Sequence, residues 1–202
     1  MSIYRLKPVF QGLLRPCVRW LHARGATANQ VTVLACFLSV CLGLWLFVAQ
    51  PPFAAYALIP IWMFVRMALN AVDGMLAREH NQQTPLGAFL NELTDVASDA
   101  ALYLPFALVL PGNPVWVGVV IVLAGLSEFA GALGTVVGAS RRYDGPMGKS
   151  DRAFVFGALG LWVALAPLPP WASWLMPSMA LLLVFTTVQR VRSALAERTV
   201  SS

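Results

Sequence analysis

Six ionisable side chains stand within long apolar segments of the sequence: Arg66, Asp73, Glu92, Asp95, Asp99 and Glu128. Ionisable residues inside a membrane are costly to bury and are usually functional. At about 100° per residue, two polar faces arise on consecutive predicted helices. The first contains Arg66, Asn70 and Asp73, and the second contains Asn91, Glu92, Asp95 and Asp99. Facing stripes of carboxylate and amide oxygens suit a hard divalent cation, Mg²⁺ or Mn²⁺, so the sequence predicts a metal site.

The same residues can also be interpreted as buried ion pairs that hold the helices together. For Arg66 and Glu128 the sequence favours such a pair, one with the other. For the acidic faces it favours a bound cation, because Arg66 by itself cannot neutralise the carboxylates of Asp73, Glu92, Asp95 and Asp99. An uncompensated acidic cluster at that depth would be very costly.

The composition places these faces in a membrane protein. Of the 202 residues, 58% are apolar and 11% are charged, whereas soluble domains average about 45–50% and 25%. A water-soluble enzyme and a nucleic-acid-binding domain are therefore excluded, although the net charge is +5. All but one of the 14 Lys and Arg residues fall in four groups, 5–24, 78, 141–152 and 190–198, which alternate with apolar runs. This is the pattern that the positive-inside rule describes.

The apolar runs predict an all-α integral membrane domain that covers residues 1–202. A span needs about 20 mostly apolar residues, and six are predicted, at 31–49, 53–76, 86–110, 114–139, 153–168 and 171–189. Residues 4–21 precede them as a predicted amphipathic helix at the membrane interface, which Pro8 and Pro16 should break. An even number of spans with basic ends predicts a multi-pass protein of the inner membrane with both termini in the cytoplasm.

The order of the polar residues carries a more specific signal. The chain reads Asn70-Ala-Val-Asp73-Gly74-Met-Leu-Ala77-Arg78, then eight residues, then Gly87-Ala-Phe-Leu-Asn91-Glu-Leu-Thr-Asp95. This resembles the CDP-alcohol phosphotransferase signature, Asp-x2-Asp-Gly-x2-Ala-Arg-x8-Gly-x3-Asp-x3-Asp, at six of its eight fixed positions. The resemblance is closest to the bacterial phosphatidylglycerol-phosphate and phosphatidylinositol-phosphate synthases.

The resemblance implies transfer of a phosphatidyl group from a CDP-linked lipid, such as CDP-diacylglycerol, to an alcohol or alcohol phosphate in phospholipid biosynthesis, with release of CMP. It places Asn70, Asp73, Asn91 and Asp95 at the family's metal positions, which would hold one or two ions, and makes Asp95 the general base. The implied donor contacts are Thr27, Asn29, Gln30, Gly74, Ala77, Arg78, Thr84 and Gly87. A homodimer in contact with membrane lipids is implied as well.

Two positions depart from the family pattern, because Asn70 and Asn91 stand where the signature has aspartate. Asparagine offers a carbonyl oxygen without charge, so either a carboxylate nearby completes the metal site or the protein is a catalytically impaired member. Glu92 and Asp99 lie on the same helical face as Asp95 and are the candidates for such a carboxylate. The basic residues of the 141–152 segment are a further candidate set, for contact with a phosphate on the acceptor or with anionic lipid: Arg141, Arg142, Lys149 and Arg152.

Two other functions remain open from the residues alone. Asn91-x3-Asp95-x3-Asp99 echoes the metal motif of intramembrane prenyltransferases, but that motif leaves Asp73-Gly74-x2-Ala77-Arg78 without a role. An ion or proton carrier would need polar residues that continue to the outer side, and the outer halves of these runs are apolar. The sequence therefore favours the phosphotransferase.

Overall fold

The computed structural model describes residues 6–200, with side chains from 10 to 198. This part of the chain is all-helical, without a β-strand. It contains seven α-helices: α1 (Leu6–Ala23), α2 (Ala28–Ala49), α3 (Leu58–Glu79), α4 (Pro85–Tyr103), α5 (Val115–Val136), α6 (Lys149–Leu165) and α7 (Leu175–Val200). Short 3-10 segments lie before α3 and α7 and after α4, at Phe53–Ala57, Pro170–Trp174 and Leu104–Leu108.

In the described part of the chain, four helical segments are long and apolar enough to cross a membrane: Ala28–Ala49, Phe53–Glu79, Val115–Val136 and Pro170–Arg198. The other two predicted spans do form helices, α4 and α6, within the same described range. Helix α4 carries three carboxylates in 19 residues, and α6 has only 17 residues and begins with charged side chains. The all-helical membrane architecture is thus confirmed, while six crossings remain a prediction.

The most extensive helix contacts join α5 to α7 and α2 to α4, and α3 packs on both α2 and α6. The α2–α4 contact depends on Gly43, because a Cβ there would lie 2.1 Å from the Ala101 carbonyl oxygen. Aromatic stacking joins α4 to α6, with the Tyr103 and Phe156 rings 3.7 Å apart. This packing fixes the rotation of α4, and with it the direction in which its polar face points.

Helix α1 packs on the last turns of α3. Its Val18 is fully buried among Val72, Met75 and Leu76, and Arg15 pairs with Glu79 at 3.0 Å. The helix continues through Pro16, so the predicted break there is wrong. The predicted residues 4 and 5 lie outside the described part of the chain, and the placement of α1 at the membrane interface stays a prediction.

Threonines cap the N-termini of α2 and α4. Thr27 caps α2 by accepting a hydrogen bond from the Gln30 amide at 3.3 Å, and the Gln30 side chain accepts one from the Thr27 amide at 2.9 Å. Thr84 caps α4 by accepting from the Gly87 amide at 2.9 Å, with Pro85 at the first helical position. Such caps satisfy amide groups that have no partner within the helix. The predicted start of the first span at Val31 is three residues late, because the capping box moves it to Ala28.

Candidate active site

A cleft of about 570 Å³ lies between the start of α2, the end of α3 and the start of α4. We call it the donor cleft, because six of the eight predicted donor contacts line it: Asn29, Gly74, Ala77, Arg78, Thr84 and Gly87. Asp73 and Asn91 line it too. Thr27 and Gln30 do not, since they hold each other in the α2 cap.

Two glycines give the donor cleft its shape. A Cβ on Gly74 would lie 3.0 Å from the Arg78 guanidinium, so the absent side chain leaves room for Arg78 to fold against the helix. A Cβ on Gly87 would lie 2.7 Å from Asn29 Oδ1. Asn29 in turn donates to the Thr84 hydroxyl at 3.4 Å. Glycine at both positions lets the helix backbones border the cleft closely.

A second cleft of about 370 Å³, the polar cleft, lies beside it. Its wall includes Asn70, Glu92, Asp95, Arg141 and Lys149, all of them predicted site residues. Asn91 lines both clefts, so they meet at this residue. A group bound in one cleft therefore lies next to a group bound in the other.

The two motif aspartates stand on either side of this meeting point. Asp73 is buried and accepts a hydrogen bond from the Thr32 hydroxyl at 2.7 Å. Asp95 Oδ1 accepts from Arg66 at 3.1 Å and from the Asn70 amide at 3.4 Å. Asp95 Oδ2 pairs with the Lys149 ammonium.

Asp95 belongs to a larger set of ion pairs, the ion-pair network, in which nine side chains are connected. It contains four carboxylates and five cations: Glu92, Asp95, Asp99, Glu128, Arg66, Arg141, Lys149, Arg152 and Arg190. The network crosses the bundle from α3 and α4 through α5 and the 141–152 segment to α7.

The predicted pair between Arg66 and Glu128 is wrong. Arg66 instead pairs with Asp99 at 2.5 Å, and Glu128 pairs with Arg152 at 3.0 Å and Arg190 at 3.3 Å. The sequence argument also takes Arg66 as the one cation available to these carboxylates. This is wrong, because Arg152 reaches Asp99 at 3.1 Å. The rotation of α6 and α7 brings these cations inward, which their sequence positions do not indicate.

Glu92 and Asp99, the two carboxylates that the sequence offers as replacements, are both held by arginines. Asp99 is 5% exposed and has an arginine on each oxygen, Arg66 on Oδ1 and Arg152 on Oδ2. Glu92 pairs with Arg141 in the wall of the polar cleft.

The four predicted acceptor residues divide into two groups. Arg141 and Lys149 line the polar cleft, but Arg142 and Arg152 are absent from its wall. Arg152 is 1% exposed within the ion-pair network. Arg142 points to Glu197 and Asp144, and its hydrogen bonds hold the pKa of the Asp144 carboxyl below the ordinary value.

Three residues at the site have no place in the sequence motif. Thr32 orients Asp73, and Arg190 lines the polar cleft. The Gln82 side chain accepts a hydrogen bond from the Ala28 amide at 2.7 Å, which ties the α3–α4 turn to the start of α2. Thr32 lies outside the motif and Gln82 lies in its eight-residue spacer, so the spacing of the motif indicates neither residue.

The oxygen donors at the meeting point fit a divalent cation, although they are few. Among the described side chains, no three His, Cys, Asp or Glu residues converge as a metal-binding group. The physical reason is that two of the four motif positions are Asn70 and Asn91. Asp73 and Asp95 remain, and Mg²⁺ is commonly bound by one or two protein carboxylates together with substrate phosphates.

Residues 26–188 match the family model for CDP-alcohol phosphatidyltransferase. The chain belongs to this family. It is accordingly a transferase of substituted phosphate groups, as the motif predicts. The intramembrane prenyltransferase and the ion carrier are not supported by this assignment.

Relatives of this CDP-alcohol phosphatidyltransferase cover nearly its whole length. It is 49% identical over 198 residues to the inner membrane protein YnbA of Escherichia coli (strain K12), and the aligned region covers 96% of this chain and 97% of that protein. It is 27% identical over 194 residues to phosphatidylinositol phosphate synthase of Mycobacterium tuberculosis (strain ATCC 25618 / H37Rv), covering 93% and 88% of the two chains. The apolar helices and the similarity to an inner membrane protein support an inner-membrane location.

Solved structures of the Mycobacterium tuberculosis phosphatidylinositol phosphate synthase PgsA1 share the fold. The complex of PgsA1 with manganese and citrate gives a TM-score of 0.73 at 25% identity, covering 89% of this chain and 87% of that one. The structure with CDP-DAG bound gives a TM-score of 0.71 at 24% identity, covering 89% and 92%.

Proposed function

We propose that this protein transfers a phosphatidyl group from a CDP-linked lipid, such as CDP-diacylglycerol, to the hydroxyl of an alcohol phosphate, with release of CMP, in phospholipid biosynthesis. The observation that carries the proposal is that the donor cleft and the polar cleft meet at Asn91, with the two motif aspartates beside this point. The PgsA1 structures with CDP-DAG and with manganese support a CDP-lipid donor and a divalent cation.

In the proposed reaction, Asp95 accepts the proton of the acceptor hydroxyl. The hydroxyl oxygen attacks the phosphorus that carries the diacylglycerol. A new P–O bond forms, the bond from that phosphorus to the oxygen of CMP breaks, and CMP leaves with the electron pair. Arg78, in the wall of the donor cleft, is placed to contact the donor phosphates. Thr32 holds Asp73 in its orientation.

Asp73 and Asp95 would hold Mg²⁺ or Mn²⁺, with amide oxygens of Asn70 and Asn91 as further donors. When bound, such a cation would neutralise negative charge on the pyrophosphate and make CMP a better leaving group.

The acceptor class is inferred from the three cations that line the polar cleft together with four carboxylates. Arg141, Lys149 and Arg190 all line it, and guanidinium and ammonium groups bind phosphate through charge-assisted hydrogen bonds. Each of these cations pairs with a carboxylate in the structure, Arg141 with Glu92, Lys149 with Asp95 and Arg190 with Glu128. An acceptor phosphate would take the place of such a carboxylate partner. We therefore infer that the acceptor carries a phosphate group in addition to its reacting hydroxyl.

The proposal includes a membrane topology of six spans with both termini in the cytoplasm. Basic residues lie at the end of α3, between α5 and α6, and in the last turns of α7, at 78, 141–152 and 190–198. These positions are at or near the end of the bundle where the two clefts lie. Positive charge accumulates on the cytoplasmic side of membrane proteins, so both clefts would open to the cytoplasm. A homodimer, which the resemblance implies, is a further expectation.

The test uses purified full-length protein with CDP-diacylglycerol and a panel of polyols and their monophosphates, with CMP release as the readout. We expect release with one or more of the monophosphates, abolished by EDTA and restored by Mg²⁺ or Mn²⁺. CMP release with unphosphorylated polyols alone would contradict the acceptor class. Absence of CMP release with every acceptor would contradict the proposed function itself.

A further inference from the structure

The segment between α5 and α6 forms one side of the polar cleft. Arg141, Tyr143 and Gly145 line the cleft, and Cζ of the Arg141 guanidinium lies 4.4 Å from the centroid of the Tyr143 ring. Residues 139–148 belong to neither a helix nor a strand. The position of Arg141 in the cleft therefore depends on the contacts that this segment makes with the neighbouring helices.

On one side the segment lies against the end of α5, where two glycines leave room for its backbone. The Arg142 amide donates a hydrogen bond to the Gly131 carbonyl at 3.0 Å, and the Ala139 amide donates one to the Gly134 carbonyl at 2.9 Å. A Cβ on Gly131 would lie 2.6 Å from the Arg142 carbonyl oxygen, and one on Gly134 would lie 2.8 Å from that of Ser140. The segment thus rests directly on the backbone of α5.

On the other side one face of α7 holds the segment at three levels. Thr186, Arg190 and Glu197 are separated by four and then seven residues, a spacing that places them on the same side of a helix. The Met147 amide donates to the Thr186 hydroxyl at 3.1 Å, and Arg190 donates to the Asp144 carbonyl at 3.1 Å. Glu197 makes the third set of contacts, near the C-terminal end of the helix.

Glu197 holds the residues on both sides of Arg141. Its Oε1 accepts from the Ser140 amide and its Oε2 from the Ser140 hydroxyl, both at 2.9 Å. Its Oε2 also pairs with the Arg142 guanidinium, which in turn donates to both carboxylate oxygens of Asp144, at 2.8 and 3.0 Å. Ser140 and Arg142 flank Arg141 in sequence, so one carboxylate fixes the residues before and after the one that lines the cleft.

Glu197 reaches the segment because α7 is longer than a membrane span requires. Its 26 residues correspond to about 39 Å at about 1.5 Å per residue, whereas the hydrocarbon core of a bilayer is about 30 Å thick. On the six-span topology the last turns of α7 therefore lie beside the cytoplasmic segment. Glu197 lies beyond residues 26–188, which match the family model, and it is absent from the described lining of both clefts.

We propose that Glu197 is a positioning residue for the acceptor: by holding Ser140 and Arg142 it keeps the Arg141 side chain in the wall of the polar cleft. This inference rests on the proposed function, since it takes the polar cleft as the site of the acceptor phosphate. Glu197 acts through Arg141 and not by contact with a substrate.

The first test measures the hold on the segment without any substrate. Hydrogen–deuterium exchange is followed by mass spectrometry on purified full-length protein in phosphatidylcholine nanodiscs. Glu197→Ala removes the acceptor of the Ser140 amide and the partner of Arg142. We expect exchange in peptides that cover 139–147 to become about tenfold faster, the scale of a hydrogen bond to a charged group. Exchange at the start of α2 should be unchanged.

Arg192→Ala is the matched control, because it places the same small side chain at an exposed position of the same helix. It should leave the exchange of 139–147 as in the unaltered protein. Faster exchange to the same extent in both variants, or in neither, would overturn the inference.

The second test separates positioning from a merely structural role. CMP release is measured with CDP-diacylglycerol and the monophosphate that gives the highest rate in the acceptor panel. We expect Glu197→Ala to raise the KM for this acceptor at least about fivefold, the scale of a weakened contact with phosphate. The kcat and the KM for CDP-diacylglycerol should hold, because the segment is absent from the described wall of the donor cleft. Equal changes in all three constants, or an unchanged acceptor KM, would overturn the positioning role.

Glu197→Gln keeps the inference testable if Glu197→Ala does not fold. Glutamine retains the size of the side chain and an oxygen for the Ser140 amide, but it loses the charge that pairs with Arg142. We expect the acceptor KM to rise about threefold, the scale of a partly exposed ion pair. In that case an unaltered acceptor KM would overturn the role of Glu197.

The inference and the proposed function fail separately. Absence of CMP release with every acceptor contradicts the proposed function, and the exchange measurement then still decides whether Glu197 holds the segment. Normal CMP release with unaltered exchange in Glu197→Ala contradicts only the inference.

Discussion

Asp73 and Asp95 occupy equivalent motif positions in very different surroundings. Asp73 has a neutral hydroxyl as its hydrogen-bond partner, whereas Asp95 faces a guanidinium, an ammonium and an amide. A substrate or cation that binds Asp95 must therefore share it with Lys149. Asp73 lines the donor cleft directly. There its carboxylate accepts a hydrogen bond from the Thr32 hydroxyl, where Asp95 has a cation as its partner.

At these two residues we expect Asp73→Asn and Asp95→Asn each to reduce divalent-dependent CMP release at least about a hundredfold, the low end of the effect of a general base. At position 73, asparagine keeps an oxygen for the Thr32 hydrogen bond. At position 95 it keeps an oxygen for Arg66, whose ion pair with Asp99 remains, so the fold should persist in both variants. Initial rates on purified protein check this, with Glu79→Gln at the exposed end of α3 as the control. Near-normal rates in a folded variant would refute the assignment.

Asp99 should behave differently, because it lies between two arginines in the buried part of the ion-pair network. Removing one partner of a buried ion pair costs about 3–5 kcal/mol. We therefore expect Asp99→Asn to lower the melting temperature strongly, and the residual activity to need an unchanged Mg²⁺ concentration for half-maximal rate. A higher Mg²⁺ requirement at unchanged stability would instead show Asp99 to be a metal ligand.

The residues of the motif could be predicted from the sequence, but their partners could not. Spacing within one helix places Asp95 and Asp99 on one face, and this is independent of the rest of the fold. The partner of Asp99 depends on how α6 is rotated, because Arg152 lies 53 residues away in sequence. For this reason the sequence wrongly predicts Arg66 to pair with Glu128, and it does not indicate Arg190 as a site residue.

Helices α2 and α4 approach each other closely at Gly43, and a substitution there can test this contact. A methyl group on Gly43 would collide with the Ala101 carbonyl, so the two helices would have to move apart. We expect Gly43→Ala to lower the free energy of unfolding by about 1–3 kcal/mol, the usual cost of overpacking. Thermal unfolding in detergent measures it.

Gly118 on α5 provides the matched control for this change. No atom lies within 4 Å of a Cβ built there, and alanine is the better helix former. Gly118→Ala should therefore leave the melting temperature unchanged or raise it slightly. Equal destabilisation by both variants would contradict a specific α2–α4 contact.

The Thr84 cap joins the stability of α4 to the donor cleft. Thr84→Ala removes the hydrogen bond to the Gly87 amide and the contact with Asn29. Loss of an N-cap lowers the free energy of unfolding by about 1 kcal/mol. We also expect the KM for the CDP-linked lipid to rise, with little change in the KM for the acceptor. Thr84→Ser keeps the hydroxyl and should restore both values. A raised acceptor KM alone would place Thr84 outside the donor cleft.

At this scale the sequence indicates where helices lie more reliably than how long they are. Apolar runs predict all six helices after α1, since apolar length follows directly from composition. Their ends differ by up to several residues, because caps such as Thr27 and 3-10 segments such as Leu104–Leu108 set them. Pro16 does not break α1, whose burial on α3 favours the continuous helix.

For the whole molecule, the six-span topology predicts which loops face the cytoplasm. In a variant without Cys17, Cys36 and Cys41, we expect Ser150→Cys to be labelled from the cytoplasm, and Pro52→Cys or Asn113→Cys only from the opposite side. All three positions are exposed. Impermeant thiol reagents on oriented membrane vesicles make the measurement. Cytoplasmic labelling at position 52 or 113 would contradict the topology.

The ion-pair network also has a consequence for biogenesis. Helix α4 alone would carry three carboxylates into the lipid, and each charged residue at the centre of a helix costs about 2.5–3.5 kcal/mol on insertion scales. Arg66 on the preceding α3 pairs with two of these carboxylates. On the six-span topology, α3 and α4 should therefore leave the translocon together as a hairpin. In an insertion assay, α4 fused alone to a reporter should insert poorly, the α3–α4 pair should insert well, and Arg66→Leu should abolish the gain.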